Sequence, residues 1–156
     1  MCFTFKESFQ YLLNMLQVTR IFRFEMAHAI YGYAGACRNI HGHSYELHVT
    51  ARQLNNCDDY LPAPGFVMDF KELRQLMEPI IASMDHKLVL SREYVNKHTG
   101  LFMQENLVTW DHEPSAENIL TFIRLRLQKV LPQNIELHKL KIYETNNSYA
   151  EWRNYK

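Results

Sequence analysis

A surplus of charge of either sign is missing from this sequence. Seventeen Lys and Arg offset seventeen Asp and Glu, for a formal net charge of zero. No basic excess points to nucleic acid or to an anionic membrane surface, and neither is expected as a partner. A local basic pocket for a phosphate is compatible with that balance, because net charge says little about one site. Cysteine is scarce: Cys2, Cys37 and Cys57 are odd in number and contain no Cys-x-x-Cys. They suggest neither a disulfide framework nor a cysteine zinc cluster, and a reducing, cytoplasmic setting is expected. No apolar run approaches the ~20 residues needed to span a bilayer. The opening stretch MCFTFKESFQYLLNMLQ is interrupted by Lys6, Glu7 and Asn14. It lacks a charged start followed by a continuous apolar segment, so it makes a poor signal peptide. Repeats, low-complexity tracts and Pro/Gly/Ser-rich linkers are absent too, which leaves one domain as the simplest organisation.

What is present suits a globular fold. The chain has 156 residues, 47% of them apolar, enough for one domain with its own core. Residues 1–17 are expected to stand apart as a short extension of helical character, and residues 18–156 to form the domain. VTRIFRFEMA (18–27) alternates as a strand, with Phe22, Phe24 and Met26 on one face and Arg23 and Glu25 on the other. HSYELHVTAR (43–52) alternates again, with Tyr45, Leu47 and Val49 opposite Glu46, His48 and Thr50. A loop holding Gly32 and Gly35 joins the two, so a long antiparallel hairpin is expected.

Helical spacing of Phe70, Leu73, Leu76, Met77, Ile80 and Ile81 predicts a helix from Asp69 to Met84. Asp69 is its cap, Glu72 reaches back, and Pro79 is a kink or early end. A second helix is predicted from Ser115 or Ala116 to Leu131, with Ile119, Leu120, Ile123, Leu127 and Val130 as its stripe and Pro132 as its stop. Strands at 138–144 and 148–152 follow, turning at Asn146-Asn147. The order ββααββ implies an α+β fold, an antiparallel sheet with two helices on one face.

His41-Gly42-His43 is the sharpest local signal. Residues two apart on a strand point the same way, so both imidazoles can face one metal. Gly42 lets the backbone approach closely. His28 ends the first strand on the parity of Phe22, Phe24 and Met26; pairing the strands would bring it to the same end of the sheet. Three histidines leave a coordination position open, the arrangement of a catalytic Zn2+. His48, His98, His112 and His138 are expected to be solvated. Glu144 shares the parity of Leu140 and Ile142 and is expected to face a buried side, where a carboxylate needs donors.

FEMAHAI…CRNIHGHSYELHV resembles the 6-pyruvoyl-tetrahydropterin synthase / 6-carboxytetrahydropterin synthase family. That family opens with Phe-x-x-x-His and continues Cys-x3-His-Gly-His-x-Tyr. MDFKEL (68–73), MDHKLVL (84–90), PSAENI (114–119) and YETNNSYAEW (143–152) extend the match over about residues 19–153. The resemblance implies the tunnelling fold, with subunits assembled into a trimeric barrel and stacked as a homohexamer, and active sites at subunit interfaces. It implies that His28, His41 and His43 hold zinc, that Cys37, Asp85 and His86 form the catalytic group, and that Glu144 anchors a pterin ring. Ser115 and Ala116 fall where the family's backbone meets the pterin; Ala116 stands where a hydroxyl residue is frequent. Glu117, at a helix start, is explained by the helix dipole alone.

The implied substrate is 7,8-dihydroneopterin triphosphate. Three outcomes are open: a 6-carboxytetrahydropterin synthase, a carbon–carbon lyase on the path to queuosine and other deazapurines, preferred for its compact Cys-x3-His-Gly-His and SYAEW segments; a 6-pyruvoyl-tetrahydropterin synthase, which eliminates triphosphate; and a pterin-binding zinc protein without turnover. The N-terminal extension departs from the family pattern. Met15 stands where such a chain would start, so the first fourteen residues are expected to be dispensable.

Overall fold

Alternation builds the hairpin as expected. In β1 (Gln17–His28), Phe24, Met26 and His28 are buried while Arg23 and Glu25 face out. In β2 (His41–Gln53), Tyr45, Leu47 and Val49 are all at most 1% exposed. The strands pair antiparallel, with Phe22 opposite Leu47, Phe24 opposite Tyr45, Met26 opposite His43 and His28 opposite His41. The computed structural model describes residues 16–54, 59–98 and 105–155, so most of the expected N-terminal extension lies outside the described residues, and β1 begins at Gln17, inside its last position.

Helix α1 (Phe70–Ala82) starts where Asp69 accepts a hydrogen bond from Lys71 N (2.8 Å). Pro79 is accommodated inside it, and the helix runs one turn further. Leu73, Met77 and Ile80 are buried, but Phe70 is 49% exposed and lies outside the stripe that spacing assigned to it. Helix α3 (Ala116–Leu127) is capped by Ser115, whose side chain accepts from Asn118 N. It buries Ile119, Leu120, Ile123 and Leu127, each worth about 1.5–3 kcal/mol when withdrawn from water. It ends at Leu127 rather than at Leu131, which leaves Val130 49% exposed. Both helices cover one face of the sheet and share one core with Phe24, Met26, Leu47, Val49, Leu140 and Ile142.

Strands β5 (Ile135–Thr145) and β6 (Ser148–Arg153) form the expected hairpin around Asn146-Asn147, with β5 longer than its alternation showed. The expected ββααββ order is embedded in a longer one. Strand β3 (Lys87–Ser91), the short helix α2 (Arg92–Lys97) and strand β4 (Leu107–Trp110) lie between the two helices. The sheet runs β4-β3-β1-β2-β5-β6, and β3 lies parallel to β1 and β4 parallel to β3, so it is mixed rather than wholly antiparallel. KLVLS is buried at four of five positions and therefore lacks the alternation that marks a half-buried strand. No helix among the described residues is long and apolar enough to cross a membrane.

Candidate metal centre and adjoining cleft

The register of β1 on β2 explains why three histidines meet. His28 and His41 are directly opposed, and His43 is the next residue on the same face of β2. Ring centroids lie 4.5 Å (His28–His41), 5.0 Å (His41–His43) and 5.3 Å (His28–His43) apart. One nitrogen from each ring falls within 4.8 Å of the others, a set that could hold a metal ion.

Two tautomers are set by the surroundings. His28 Nδ1–H donates to the Pro114 carbonyl (2.6 Å), and His41 Nδ1–H donates to the Asn39 carbonyl (2.8 Å). A carbonyl only accepts, so each Nδ1 carries the proton and each Nε2 presents its lone pair. Such outer contacts orient metal-binding imidazoles and make them better ligands. Burial lowers the His28 pKa from its ordinary value, and the nearby His41 and His43 push the same way, against the Pro114 carbonyl. A neutral imidazole is the form that binds metal.

The cleft beside this cluster has a volume of about 200 Å³. His28, His41, Cys37, Ser115, Ala116 and Glu144 all line it. Cys37 is exposed on a single 3-10 turn (Ala36–Arg38), tied down by a hydrogen bond from Ile30 N to its carbonyl (2.8 Å). Ser115 and Ala116 form the start of α3 at the wall. Glu144 is part-buried near the end of β5, its Oε1 accepting from the Tyr45 hydroxyl (3.2 Å) and lying 3.9 Å from His28 Nε2. Glu117 also lines the cleft, as do Ile30 and Tyr149. Sequence reasoning explained Glu117 by the helix dipole and did not single out the other two; the FEMAHAI and NNSYAEW segments that contain them were the available signal.

Asp85 and His86 are not among the residues that line this cleft. They pair with each other, His86 Nδ1 to Asp85 Oδ1 at 2.9 Å. Glu25 N donates to Asp85 Oδ1 (2.9 Å), and His86 N donates to Glu25 O (2.6 Å). His86 has φ +57, a left-handed conformation sparsely populated by residues with a Cβ. Its side chain is 78% exposed and borders a recess formed with Glu25, His43, Ser44 and Asn106.

The other histidines depart in part from the expectation of solvation. His48 is half-buried and paired with Glu46 (2.8 Å), and His98 Nδ1 bonds to the Tyr94 carbonyl. His138 Nδ1 is buried without a hydrogen-bond partner among the described residues, and burial, together with Arg52, lowers its pKa. It sits at the shift in β2–β5 register, which a strict period of two does not anticipate.

The mixed sheet with its helices on one face defines an α+β protein in which three histidines able to hold a metal ion stand beside a cleft lined by Glu117 and Glu144. The chain belongs to the 6-pyruvoyl tetrahydropterin synthase family, whose model matches residues 17–155. It is 30% identical over 142 residues to a 6-carboxy-5,6,7,8-tetrahydropterin synthase from Rickettsia typhi, covering 88% of this chain and 99% of that one. It is 30% identical over 150 residues to the 6-pyruvoyl tetrahydrobiopterin synthase of Homo sapiens, covering 88% and 90%. In fold it resembles the 6-pyruvoyl tetrahydropterin synthase of Caenorhabditis elegans, with a TM-score of 0.63 at 21% identity over 90% of this chain and 96% of that one. The tunnelling fold expected from the motifs is thus the fold observed.

Proposed function

We propose that this chain is a zinc-dependent 6-carboxy-5,6,7,8-tetrahydropterin synthase, a cytoplasmic lyase acting on 7,8-dihydroneopterin triphosphate in queuosine and deazapurine biosynthesis. The observation that carries it is the shared cleft: two histidines of the metal-ready triad, His28 and His41, line one space together with Cys37 and Glu144. The fit to Zn2+ rests on donor chemistry, three imidazoles with two lone pairs already directed by backbone carbonyls. Bound there, zinc would polarise the side-chain oxygens of the substrate and make its C–H bonds more acidic.

The protein's own groups supply the rest. Glu144 would accept the ring N–H and 2-amino hydrogens of the pterin in a bidentate pair. The backbone of Ser115 and Ala116 would border the ring, with no side-chain hydroxyl from Ala116. Cys37, as a thiolate, would take a proton from substrate carbon. Asp85 would orient His86 to deliver or relay a proton. Because His86 borders a different recess of the same chain and Asp85 pairs with it, they would serve the cleft of a neighbouring copy, in a homotrimer or homohexamer whose active sites lie between subunits.

Incubation with 7,8-dihydroneopterin triphosphate tests the reading directly. Acetaldehyde, triphosphate and a 6-carboxy product are expected. The human relative, equal in identity to the bacterial one, favours the second reading: triphosphate elimination to a pyruvoyl product. A pyruvoyl product without acetaldehyde would establish it in place of the first. No turnover by zinc-loaded protein would leave pterin binding alone.

A further inference from the structure

The Tyr45 hydroxyl contacts two groups that line the cleft, Glu144 and His28. The ring is 1% exposed and stacks on Phe24, with centroids 5.1 Å apart and planes 14° apart. The hydroxyl donates to Glu144 Oε1 at 3.2 Å and lies 3.5 Å from His28 Nε2. Glu144 Oε1 is itself 3.9 Å from His28 Nε2. A carboxylate that close to a histidine triad is a ready metal ligand, since zinc accepts mixed imidazole and carboxylate sets. A fourth protein ligand would close the position that a substrate oxygen needs.

We propose that Tyr45 is a positioning residue that keeps the two groups apart: its hydroxyl holds Glu144 on the ring side of the cleft and out of the metal's coordination. This rests on the reading of the triad as the metal site and of Glu144 as the ring anchor. A tyrosine hydroxyl is protonated at neutral pH, so it can donate to the Glu144 carboxylate. The role is distinct from packing, because the Tyr45 ring would stack on Phe24 equally well without its oxygen.

The test uses full-length protein loaded with Co2+, whose visible absorption reports the ligand set, and neopterin as a fluorescent pterin probe. Wild type, Glu144→Gln, Tyr45→Phe and the double variant are compared. Glu144→Gln alone is expected to leave the Co2+ spectrum as in wild type, because Glu144 is not a ligand there. Tyr45→Phe is expected to shift the spectrum and to weaken neopterin binding about tenfold, the size of a lost hydrogen bond to a charged group. Adding Glu144→Gln to Tyr45→Phe is expected to return the spectrum to that of wild type.

A Tyr45→Phe spectrum or neopterin affinity equal to wild type overturns the proposal, and so does a shift that persists in the double variant. A shift caused by Glu144→Gln alone overturns it as well, and this arm stays informative even where Tyr45→Phe does not fold. Wild type that binds no Co2+ or no neopterin refutes the underlying metal-site or anchor reading instead.

Discussion

Replacing Cys37 by Ala separates chemistry from structure cleanly. Its side chain is exposed, and the contact that ties its turn to the rest of the protein uses the backbone carbonyl, which Ala retains. An exposed substitution of this kind changes stability by within about 0.5 kcal/mol. For a domain of this size that corresponds to a shift in Tm of roughly 2 °C or less. Zinc content is expected to match wild type, since the triad is untouched. Loss of a proton-transfer group from a pterin lyase is expected to lower kcat by about 10²–10⁴-fold. Three measurements decide it: product formation from 7,8-dihydroneopterin triphosphate, thermal unfolding and metal analysis on one preparation. A folded, zinc-loaded Cys37→Ala protein that keeps kcat within about threefold of wild type would refute the assignment of Cys37 as base.

His28→Ala and His41→Ala should both lose bound metal but differ in stability. His28 is 3% exposed and its removal strands the Pro114 carbonyl, costing about 1–3 kcal/mol of apo-protein stability, whereas half-buried His41 should cost less; denaturant unfolding beside metal analysis reads both. Acid should weaken the fold partly through His138. Its native pKa is lowered, so below about pH 6.5 the unfolded chain takes up a proton that the native chain refuses, and stability falls with pH. Replacing His138 by Gln should flatten this part of the unfolding profile; an equal or steeper slope in the variant would count against it. Co-refolding Cys37→Ala with His86→Ala should restore part of the activity that each lacks alone, because mixed oligomers would contain some cleft with both groups intact. Absence of any recovery in confirmed mixed oligomers would place both groups in one chain's site. Protein beginning at Met15 should assemble and turn over substrate as the full chain does; loss of either shows that the first fourteen residues are needed.

Period-two patterning carried most of what positions the site. It placed His28, His41 and His43 on one face at one end of the sheet, and the register that sets His28 opposite His41 came from the structure. It also put Glu144 on the face of Leu140 and Ile142, where it meets the cleft. The contacts that tune those groups were not legible, because they cross between distant segments. The Pro114 carbonyl is 86 residues from His28, and the Tyr45 hydroxyl reaches Glu144 across 99. Tyr45 reads from sequence as one more apolar-face residue, and nothing local reveals that its oxygen lands on a carboxylate. Strands β3 and β4 were missed for a different reason: they are short, and β3 is buried on both faces, so they carry no alternation to detect.

The two faces of β1 assign its neighbours to different tasks. Even-numbered positions end in His28, which faces the cleft with Cys37 and Glu144. The backbone of Glu25, on the opposite parity, holds Asp85 through its N–H and His86 through its carbonyl. Because β3 runs parallel to β1 and begins opposite Met26, the Asp85–His86 pair is fixed beside the strand rather than over the cleft. His86 has a left-handed backbone, and its imidazole, 78% exposed, borders the recess of Glu25, His43 and Ser44 rather than the cleft of Cys37 and Glu144. If the pair transfers the proton, as proposed, it would do so in the cleft of a neighbouring copy, and assembly would then be a condition of catalysis rather than of folding.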